Sequence, residues 1–357
     1  MSFQFDKLAR ADDLILVTGA GGFIGGHLVA ELRRFGYRRI RAVDIKPLEY
    51  WYQRFAEFEN VSSDLKSPVV CEHACAGARY VFNFAADMGG MGFIETHKAE
   101  CMLSVLINTN LLIAARRHAV QRFFYASSAC VYAADKQRQT DVTALREEDA
   151  YPAMPEDGYG WEKLFSERMC RHFREDFGIV TRIARFHNVY GPLGTFAGGR
   201  EKAPAAICRK VAEAKATNSK QIEIWGDGQQ TRSFMYIEDC IAGLLSLMAS
   251  DFHDPINIGS AELVSINRLV DLVEEIANIR LERRYDLTKP TGVRGRNSDN
   301  SLIRHVLNWE PSISLRDGLE KTYAWIWSEL SHDRRDSIFT REYDMGRPGR
   351  SNETNVG

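Results

Sequence analysis

The sequence predicts an α/β protein built on a doubly wound parallel sheet, with a smaller mixed α/β domain after it. Two observations lead to this fold class. In the first third of the chain, apolar strand-like segments alternate with amphipathic helical patterns, and the first segment runs directly into a glycine cluster that opens a helix. Such an alternation places parallel strands between two layers of helices. The length of 357 residues exceeds what one hydrophobic core usually serves, which favours two domains.

The elements of the predicted sheet follow in order along the N-terminal half. Short apolar stretches predict its strands, over 14–18, 41–45, 60–65, 80–86 and 122–126. Helical patterns begin at Phe23 and cover 94–118. A polar stretch with prolines, 134–155, predicts a loop. A helix over 159–177 and a strand over 179–185 then return the chain to the sheet.

The remainder of the chain is less regular. The glycine-rich segment 191–199 is long for a compact domain, which indicates a functional loop. Helical patterns then cover 204–215, 237–249, 265–277 and 315–330, with short strands such as 222–225 between them. We therefore expect a cofactor-binding domain over 1–185, whose sheet later segments help to complete. A substrate domain over 186–330 is interleaved with it, and 331–357 forms a surface tail.

Composition and charge exclude several classes of protein. Hydrophobic residues make up 45% and charged residues 26%, which is ordinary for a globular chain. A formal net charge of -2 gives no general attraction to nucleic acid or membranes, so an anionic ligand needs a local basic patch. No signal-peptide core is visible, and the seven cysteines lack metal-type spacing. We expect reduced thiols, a cytoplasmic location, no metal, and neither a nucleic-acid nor a membrane partner.

The glycine cluster after the first strand predicts a dinucleotide site of the Rossmann type. The run Gly19-Ala20-Gly21-Gly22-Phe23-Ile24-Gly25 lets a helix N-terminus approach a pyrophosphate, although an ordinary glycine-rich turn is the alternative. Asp44 ends the second predicted strand, where a carboxylate binds ribose hydroxyls and disfavours a 2′-phosphate, so we expect NAD; Lys46 weighs against this. Asp64 either lies near the adenine or caps a helix. The predicted cofactor residues are Gly19, Gly22, Phe23, Ile24, Gly25, Asp44, Asp64, Leu65, Tyr159 and Lys163.

A tyrosine and a lysine four residues apart, Tyr159 and Lys163, lie on one face of a predicted helix. The lysine is expected to lower the tyrosine pKa from about 10, which suits the tyrosine to act as a general base. Alone, such a pair is more often a surface feature. Ser127 and Ser128 end a strand about thirty residues earlier, and this makes the set specific. The set resembles the extended short-chain dehydrogenase/reductase superfamily, which implies a Ser128, Tyr159 and Lys163 triad and hydride exchange between NAD and a sugar carbinol.

Six further segments resemble the GDP-mannose 3,5-epimerase family, a family of nucleotide-sugar epimerases. They are 86–93, 125–132, 185–192, 198–206, 225–233 and 292–300, and the resemblance runs from about 14 to 327. It implies epimerisation of GDP-mannose at C3 and C5 through a transient 4-keto intermediate, giving GDP-L-galactose or GDP-L-gulose, by an NAD-dependent homodimer. Gly158, Trp161 and Ala133 depart from the family pattern. These departures remove no chemical group that the reaction needs, but they alter the surroundings of the site.

The same resemblance assigns an acid/base pair, Cys130 and Lys202. A buried small residue is the alternative for the cysteine, and a solvated loop residue is the alternative for the lysine. Cations are needed for a diphosphate, and the candidates are Lys210, Arg232, Arg294 and Arg296, of which Arg232 and Arg296 are ranked first. The predicted substrate residues are Gly89, Ser127, Ser128, Cys130, Asn188, Glu201, Lys202, Ala203, Lys210, Gln230, Arg232 and Arg296.

Three other functions remain open from the sequence. A 4-epimerase would not require Cys130 and Lys202. A 4,6-dehydratase would need a carboxylate close to Ser128, where this chain has Ala129 and Cys130. A non-catalytic NAD-sensing protein would be expected to lose the tyrosine and lysine pair, which is intact here.

Overall fold

The computed structural model describes residues 5–331. The helices are α1 (Phe5–Leu8), α2 (Phe23–Arg34), α3 (Pro68–Cys75), α4 (Met91–Thr96), α5 (Lys98–Arg117), α6 (Tyr159–Phe177), α7 (Ala203–Thr217), α8 (Ile237–Ala249), α9 (Ile266–Ala277), α10 (Ser301–Leu307) and α11 (Leu315–Ser331). The predicted tail, 331–357, lies outside the described residues except for Ser331, where α11 ends.

The strands come in two groups. Those of the N-terminal half are β1 (Ile15–Thr18), β2 (Ile40–Asp44), β3 (Glu59–Ser62), β4 (Tyr80–Asn83), β5 (Arg122–Ser128) and β6 (Val180–Phe186). Later strands are β7 (Val189–Tyr190), β8 (Gln221–Trp225), β9 (Thr231–Ser233), β10 (Met235–Tyr236), β11 (Ile256–Ile258), β12 (Leu263–Ser265), β13 (Glu282–Asp286) and β14 (Gly295–Arg296). Short 3₁₀ turns cover Ala129–Val131, Ala134–Gln137 and Glu147–Ala150.

A seven-stranded parallel sheet forms the centre of the molecule, in the order β11-β6-β5-β4-β1-β2-β3. Its strands are apolar on both faces because helices cover both. In β1, Ile15 and Val17 pack into a core that includes α8, whereas Leu16 between them packs into a second core that includes α3 and α5. Since neighbouring strand residues face opposite sides, this division is what a doubly wound sheet requires. The predicted fold class is therefore confirmed.

Later segments both complete the main sheet and build a smaller mixed region. β11 pairs with β6 at the sheet edge, as expected for a sheet that later segments complete. Beyond it, β12 runs antiparallel to β9 while β14 runs parallel to it, so this small sheet is mixed. The boundaries of the domains, at 185 and 330, stay predictions.

Several expected elements differ from the structure, among them the fourth strand, which ends at Asn83 and not at 86. The helical pattern over 94–118 is interrupted at His97, which leaves the helical region with φ -124° and ψ 44° and separates α4 from α5. The third strand ends at Ser62, before Asp64. Its early end follows from a turn, in which the Asp64 carboxylate accepts a hydrogen bond from the backbone N–H of Lys66 at 2.9 Å. By contrast, α6 and α8 begin and end at the predicted residues.

One described helix, α5, is long and apolar enough to cross a membrane by length and composition alone. This is weak evidence, because the core helix of a folded domain meets the same criterion. Eight residues of α5 are buried, and the helix packs against α3 and α6 beside the main sheet.

Candidate active site

The glycine turn after β1 packs so closely that several of its positions have no room for a side chain. Gly19 has φ +71°, and a Cβ there would lie 2.8 Å from the backbone carbonyl carbon of Phe84. A Cβ on Gly25 would overlap the carbonyl oxygen of Gly19. Gly22 begins α2 without a side-chain cap, so the first backbone N–H groups of the helix have no side-chain acceptor at the cap. A bare turn at a helix N-terminus fits a pyrophosphate group, which is what NAD would place there.

Asp44 ends β2 beside this turn and is only 7% exposed. Its carboxylate accepts a hydrogen bond from the backbone N–H of Lys46 at 2.9 Å, and Lys46 Nζ lies 3.2 Å from the carbonyl oxygen of Gly21. Burial raises the pKa of Asp44, and the Lys46 charge opposes that rise. Burial likewise lowers the pKa of Lys46. The ribose end of the predicted site thus has a carboxylate and an ammonium group side by side.

The other predicted cofactor residues take less direct positions. Phe23 and Ile24 open α2 and pack partly against the core. Leu65 is buried in the core beside α3, so only its backbone is free to face a ligand. Asp64 is exposed and accepts the Lys66 N–H in a turn; it does not cap α3, whose N-cap residue is Ser67.

Ser128 and Tyr159 meet at the carboxyl end of β5. Ser128 is the last residue of β5, and Tyr159 is the first residue of α6 and only 6% exposed. Burial raises the pKa of Tyr159 well above its ordinary value, and a hydrogen bond with the Ser128 side chain acts in the opposite direction. The structure therefore brings these two predicted residues together.

Lys163 lies one helical turn from Tyr159, but its ammonium group also forms an ion pair with Glu162. Its Nζ is 5.4 Å from the centre of the Tyr159 ring and 3.5 Å from Glu162 Oε2. The sequence predicts a lowered Tyr159 pKa, whereas burial raises it in the chain alone. The physical reason is that Tyr159 is shielded from water, and that the nearby Cys130 and Glu162 groups raise its pKa further.

Ser127 faces away from the residues with which it was grouped. Its hydroxyl donates a hydrogen bond to Glu167 Oε1 at 2.5 Å, and Glu167 is paired with Arg185 at 2.7 Å. All three side chains are buried. Because successive strand residues point to opposite faces, Ser127 lies on the interior side when Ser128 lies at the site. The structure does not place Ser127 among the other predicted substrate residues.

Cys130 and Lys202 come from different halves of the chain and lie close enough to affect each other's titration. Cys130 is in the 3₁₀ turn after β5, and Lys202 immediately precedes α7. Burial raises the pKa of Cys130, and the Lys202 charge opposes the rise. Burial lowers the pKa of Lys202, and the Cys130 thiolate would oppose that fall. Both groups are thus shifted towards their neutral forms.

Two arginines complete this part of the site. Arg296 Nη1 lies 3.7 Å from Cys130 Sγ, and its Nε donates to Gln137 Oε1 at 2.7 Å. Arg232 donates from Nη1 to the carbonyl oxygen of Thr231 at 2.7 Å. Burial, reinforced by the Arg296 charge, lowers the pKa of Arg232 to about 9. Two buried guanidinium groups therefore face one region, which gives the local positive charge that the overall composition lacks.

The remaining predicted cations lie in ion pairs of their own. Arg294 forms a two-point pair with Asp227, with both distances at 2.8 Å. Lys210 donates to the carbonyl oxygen of Glu223 at 2.9 Å, and its Nζ is 5.9 Å from the centre of the Trp225 ring. The structure does not bring either cation to the Cys130 region.

Other predicted substrate residues line the loops around the site. Asn188 donates to the carbonyl oxygen of Ser233 at 3.0 Å. Gln230 donates to the carbonyl oxygen of Trp225 at 3.0 Å, and its own side-chain oxygen is buried without a partner among residues 5–331. Glu201 pairs with Arg209 at 3.4 Å, and its second oxygen is likewise unpartnered within the described chain. Ala203 opens α7.

The loop containing Gly89 contacts the loop before α7. A Cβ on Gly89 would lie 2.8 Å from that of Phe93 and 3.3 Å from that of Arg200. The backbone N–H of Gly90 donates to the carbonyl oxygen of Arg200 at 3.0 Å, and the Arg200 guanidinium lies 3.8 Å from the centre of the Phe93 ring. Gly89 therefore permits a close approach between two loops that flank the site.

The sequence analysis missed Glu156 and Gln137, which hold Arg296 from two sides. No sequence pattern connects Gln137 with a residue 159 positions later. For Glu156, the one signal in the sequence is its position three residues before Tyr159. Within residues 5–331, no group of three or more His, Cys, Asp and Glu side chains is arranged to hold a metal ion. All seven cysteines are unpaired and buried.

Comparison with known proteins defines the class to which this fold and site belong. Residues 15–259 match the NAD dependent epimerase/dehydratase family. The chain therefore belongs to the NAD-dependent epimerase/dehydratase family. The predicted cofactor, NAD, and the predicted enzyme class, an NAD-dependent nucleotide-sugar epimerase, are confirmed at this level.

Relatives with particular names agree with this family. The chain is 46% identical over 325 residues to GDP-mannose 3,5-epimerase 1 of Oryza sativa subsp. japonica, covering 91% of this chain and 84% of that protein. It is also 46% identical over 321 residues to GDP-mannose 3,5-epimerase of Arabidopsis thaliana, with coverages of 90% and 84%. The predicted resemblance is thus confirmed. A UDP-glucuronic acid 4-epimerase from Bacillus cereus, solved with UDP-glucuronic acid and NAD, superposes with a TM-score of 0.72 at 26% identity, covering 88% of this chain and 99% of that one.

Proposed function

We propose that this enzyme epimerises GDP-mannose at C3 and C5 through a transient 4-keto intermediate, with GDP-L-galactose, GDP-L-gulose or both as products. One observation carries the proposal. Cys130 packs in one cluster with Tyr159, and Lys202, from the other half of the chain, is near enough to Cys130 for each group to affect the pKa of the other. A reaction confined to C4 needs an acid/base group only at the C4 oxygen, whereas proton exchange at neighbouring carbons needs further groups.

The chemistry explains why both sets of residues belong to one reaction. Protons on C3 and C5 of a hexose are too weakly acidic to be removed directly, but both become α to a carbonyl once C4 is a ketone. NAD supplies this by accepting the C4 hydride and later returning it. In its phenolate form, Tyr159 takes the proton of the C4 hydroxyl, and Ser128, which lowers the Tyr159 pKa against the effect of burial, orients the same oxygen. Lys163 contributes the positive charge nearest the Tyr159 ring.

Cys130 and Lys202 then exchange protons with the carbons next to the ketone. Burial raises the pKa of Cys130 and lowers the pKa of Lys202. The shifts favour a neutral thiol, which can donate a proton, and a neutral amine, which can accept one. Inversion of a carbon centre requires removal of a proton on one face and return on the other, so two groups are needed.

The two buried arginines support a diphosphate sugar as substrate. Arg232 and Arg296 face the region of Cys130, and each carries a planar guanidinium group suited to phosphate or hydroxyl oxygens. Gln230 and Glu201 each have a buried oxygen without a partner among residues 5–331, so each can accept a hydrogen bond from a ligand hydroxyl. We propose these four residues, with Asn188 and the Gly89 loop, as the sugar and diphosphate contacts.

Variants of the acid/base pair test the proposal. Cys130→Ser and Lys202→Ala should still reduce bound NAD transiently when given GDP-mannose, because Tyr159 and Ser128 are unchanged. Epimerised product should fall by about 10²-fold or more, as is typical when a positioned acid or base is lost. Cys75→Ser, at a buried cysteine of α3 whose charged neighbours are Glu72 and Arg41, is the matched control. If Cys130→Ser epimerises at the parental rate, a 4-epimerase or a 4,6-dehydratase becomes the better account.

We also propose a homodimer formed through α5 and α6. These helices pack side by side. Their outer faces carry apolar side chains between 37% and 52% exposed, namely Met102, Leu103, Leu106, Ile113, Trp161 and Phe165. A second copy of the same two helices would cover this patch with a surface of matching character. A cytoplasmic location is proposed from the seven unpaired cysteines.

A further inference from the structure

Glu156 joins the segments that surround Cys130. Its backbone N–H donates to the carbonyl oxygen of Cys130 at 3.0 Å, which ties the loop before α6 to the turn after β5. Its side-chain Oε1 forms an ion pair with Arg296, whose Nη1 lies 3.7 Å from the Cys130 sulfur. A carboxylate, a guanidinium group and a thiol therefore lie in sequence within one buried cluster.

This carboxylate is only partly neutralised. The Glu156 side chain is 11% exposed and that of Arg296 is 5% exposed, so solvent screens their charges weakly. Glu156 Oε2 is buried and has no hydrogen-bond partner among residues 5–331. The Arg296 guanidinium, by contrast, is also held by Gln137. Arg296 is thus held beside the Cys130 sulfur, and the unpartnered Oε2 of Glu156 keeps part of the negative charge of the carboxylate.

We propose that Glu156 is a positioning residue of the active site, which holds Arg296 in an ion pair and offsets its charge beside the Cys130 sulfur, so that Cys130 stays in the thiol form that donates a proton. The inference rests on the proposed function in assigning proton transfer to Cys130. The relation between Glu156 and the thiol itself is independent of the substrate.

Other charged groups face the same cluster and set the direction of the effect. Burial raises the pKa of Cys130 and the Glu156 charge raises it further, whereas Arg296, a hydrogen bond with Ser128 and Lys202 lower it. The groups facing the cluster are Glu95 on α4, Ser128 on β5, Tyr159 on α6, Lys202 before α7, Arg232 on β9 and Arg296 on β14. Removing the Glu156 charge leaves the cations in excess, so the thiolate should form at lower pH.

The test is the titration of the Cys130 thiol in the full-length chain. Ultraviolet absorption of the thiolate is followed against pH. For each variant, the absorption of the same variant carrying Cys130→Ala is subtracted as the background. In Glu156→Gln, the midpoint should fall by about one pH unit or more, as expected when a close charge is removed. Asp157→Asn is the matched control, because Asp157 is exposed and paired with Lys98 at 2.7 Å. Its midpoint should equal that of the parent.

A second variant guards against loss of folding. Glu156→Asp keeps the charge on a shorter side chain, so its midpoint should shift in the same direction but by less. The parental midpoint in a folded Glu156→Gln protein overturns the inference. If that variant does not fold, a parental midpoint in Glu156→Asp overturns it equally. A shifted thiol midpoint in an enzyme that exchanges no solvent deuterium into GDP-mannose would refute the proposed function and leave the role of Glu156 intact.

Discussion

At the residue scale, burial controls the chemistry of this site. It raises the pKa of Tyr159 and of Cys130, and it lowers the pKa of Lys202. Cys130 and Lys202 are thereby held near their uncharged forms, in which a thiol can give a proton and an amine can take one, whereas Tyr159 has to lose its proton before it can act as a base. The spacing of Tyr159 and Lys163 predicted the tyrosine, and the family resemblance supplied Cys130 and Lys202. Burial was not readable from the sequence, and the expected lowering of the Tyr159 pKa was therefore wrong for the chain alone.

The role of Tyr159 can be tested by removing one oxygen. Tyr159→Phe should reduce turnover by about 10²–10⁴-fold, because the variant lacks the phenolic oxygen that is proposed to accept the C4 hydroxyl proton. NAD binding should persist, since the glycine turn after β1 is unchanged. The measurements are steady-state turnover and the NAD content of the purified protein. Tyr285→Phe, which removes an exposed hydroxyl, serves as control, and near-parental turnover in Tyr159→Phe would show that another group deprotonates the sugar.

At the element scale, the sequence predicted best where periodicity and glycine signals coincide. α6 and α8 match their predicted bounds, and α2 starts at Phe23 after the glycine turn. The break at His97 was missed because neither proline nor glycine marks it. The early end of β3 was missed because an aspartate turn, fixed by one backbone hydrogen bond, replaces further strand pairing.

Helices α5 and α6 also carry the prediction about assembly. Leu106→Glu together with Phe165→Glu should convert the proposed dimer into a monomer, because a charge at each exposed apolar position would have to be buried without a partner. Light scattering on the purified protein measures the mass. Val69→Glu places the same charge at an exposed apolar position of α3 and should leave the dimer intact. A parental protein that is monomeric, or a double variant that stays dimeric, contradicts this interface.

At the scale of the whole molecule, the site is assembled from segments that only folding brings together. β5, the 3₁₀ turn after it and α6 supply Ser128, Cys130 and Tyr159, whereas Lys202 precedes α7 and Arg296 comes from β14. The fold class followed from the alternation of strands and helices. Contacts between distant segments did not follow from it, because pairing such as that of Gln137 with Arg296 depends on how later strands return to the main sheet.

A buried histidine gives the whole fold a predictable dependence on pH. Burial lowers the pKa of His187 to about 3, and its Nε2 is 2.9 Å from Asn257 Oδ1. The folded state thus binds fewer protons than the unfolded state between about pH 3 and the ordinary histidine value of about 6.5. Stability contributed by neutral His187 is present above pH 6.5 and is lost as the pH falls, by up to about 1.4 kcal/mol per pH unit.

Replacement of this histidine should flatten that dependence. His187→Gln should be less stable than the parent at pH 6.5. Its free energy of unfolding should, however, fall less than that of the parent when the pH is lowered from 6.5 to 4. Denaturant unfolding at a series of pH values provides the measurement. His305→Gln, at an exposed histidine, should follow the parental curve. Parallel curves for the parent and His187→Gln would show that His187 does not contribute to acid sensitivity.

The central claim, proton exchange at C3 and C5 through a C4 ketone, is tested most directly by the parental enzyme in heavy water. GDP-mannose is incubated with the NAD-loaded protein, and each carbon of the recovered sugar is examined for deuterium by NMR. The account predicts deuterium at C3 and C5 and none at C4, because the C4 hydride returns from bound NAD while Cys130 and Lys202 exchange protons with solvent. Epimerisation at C4 with no deuterium at C3 or C5 would contradict it.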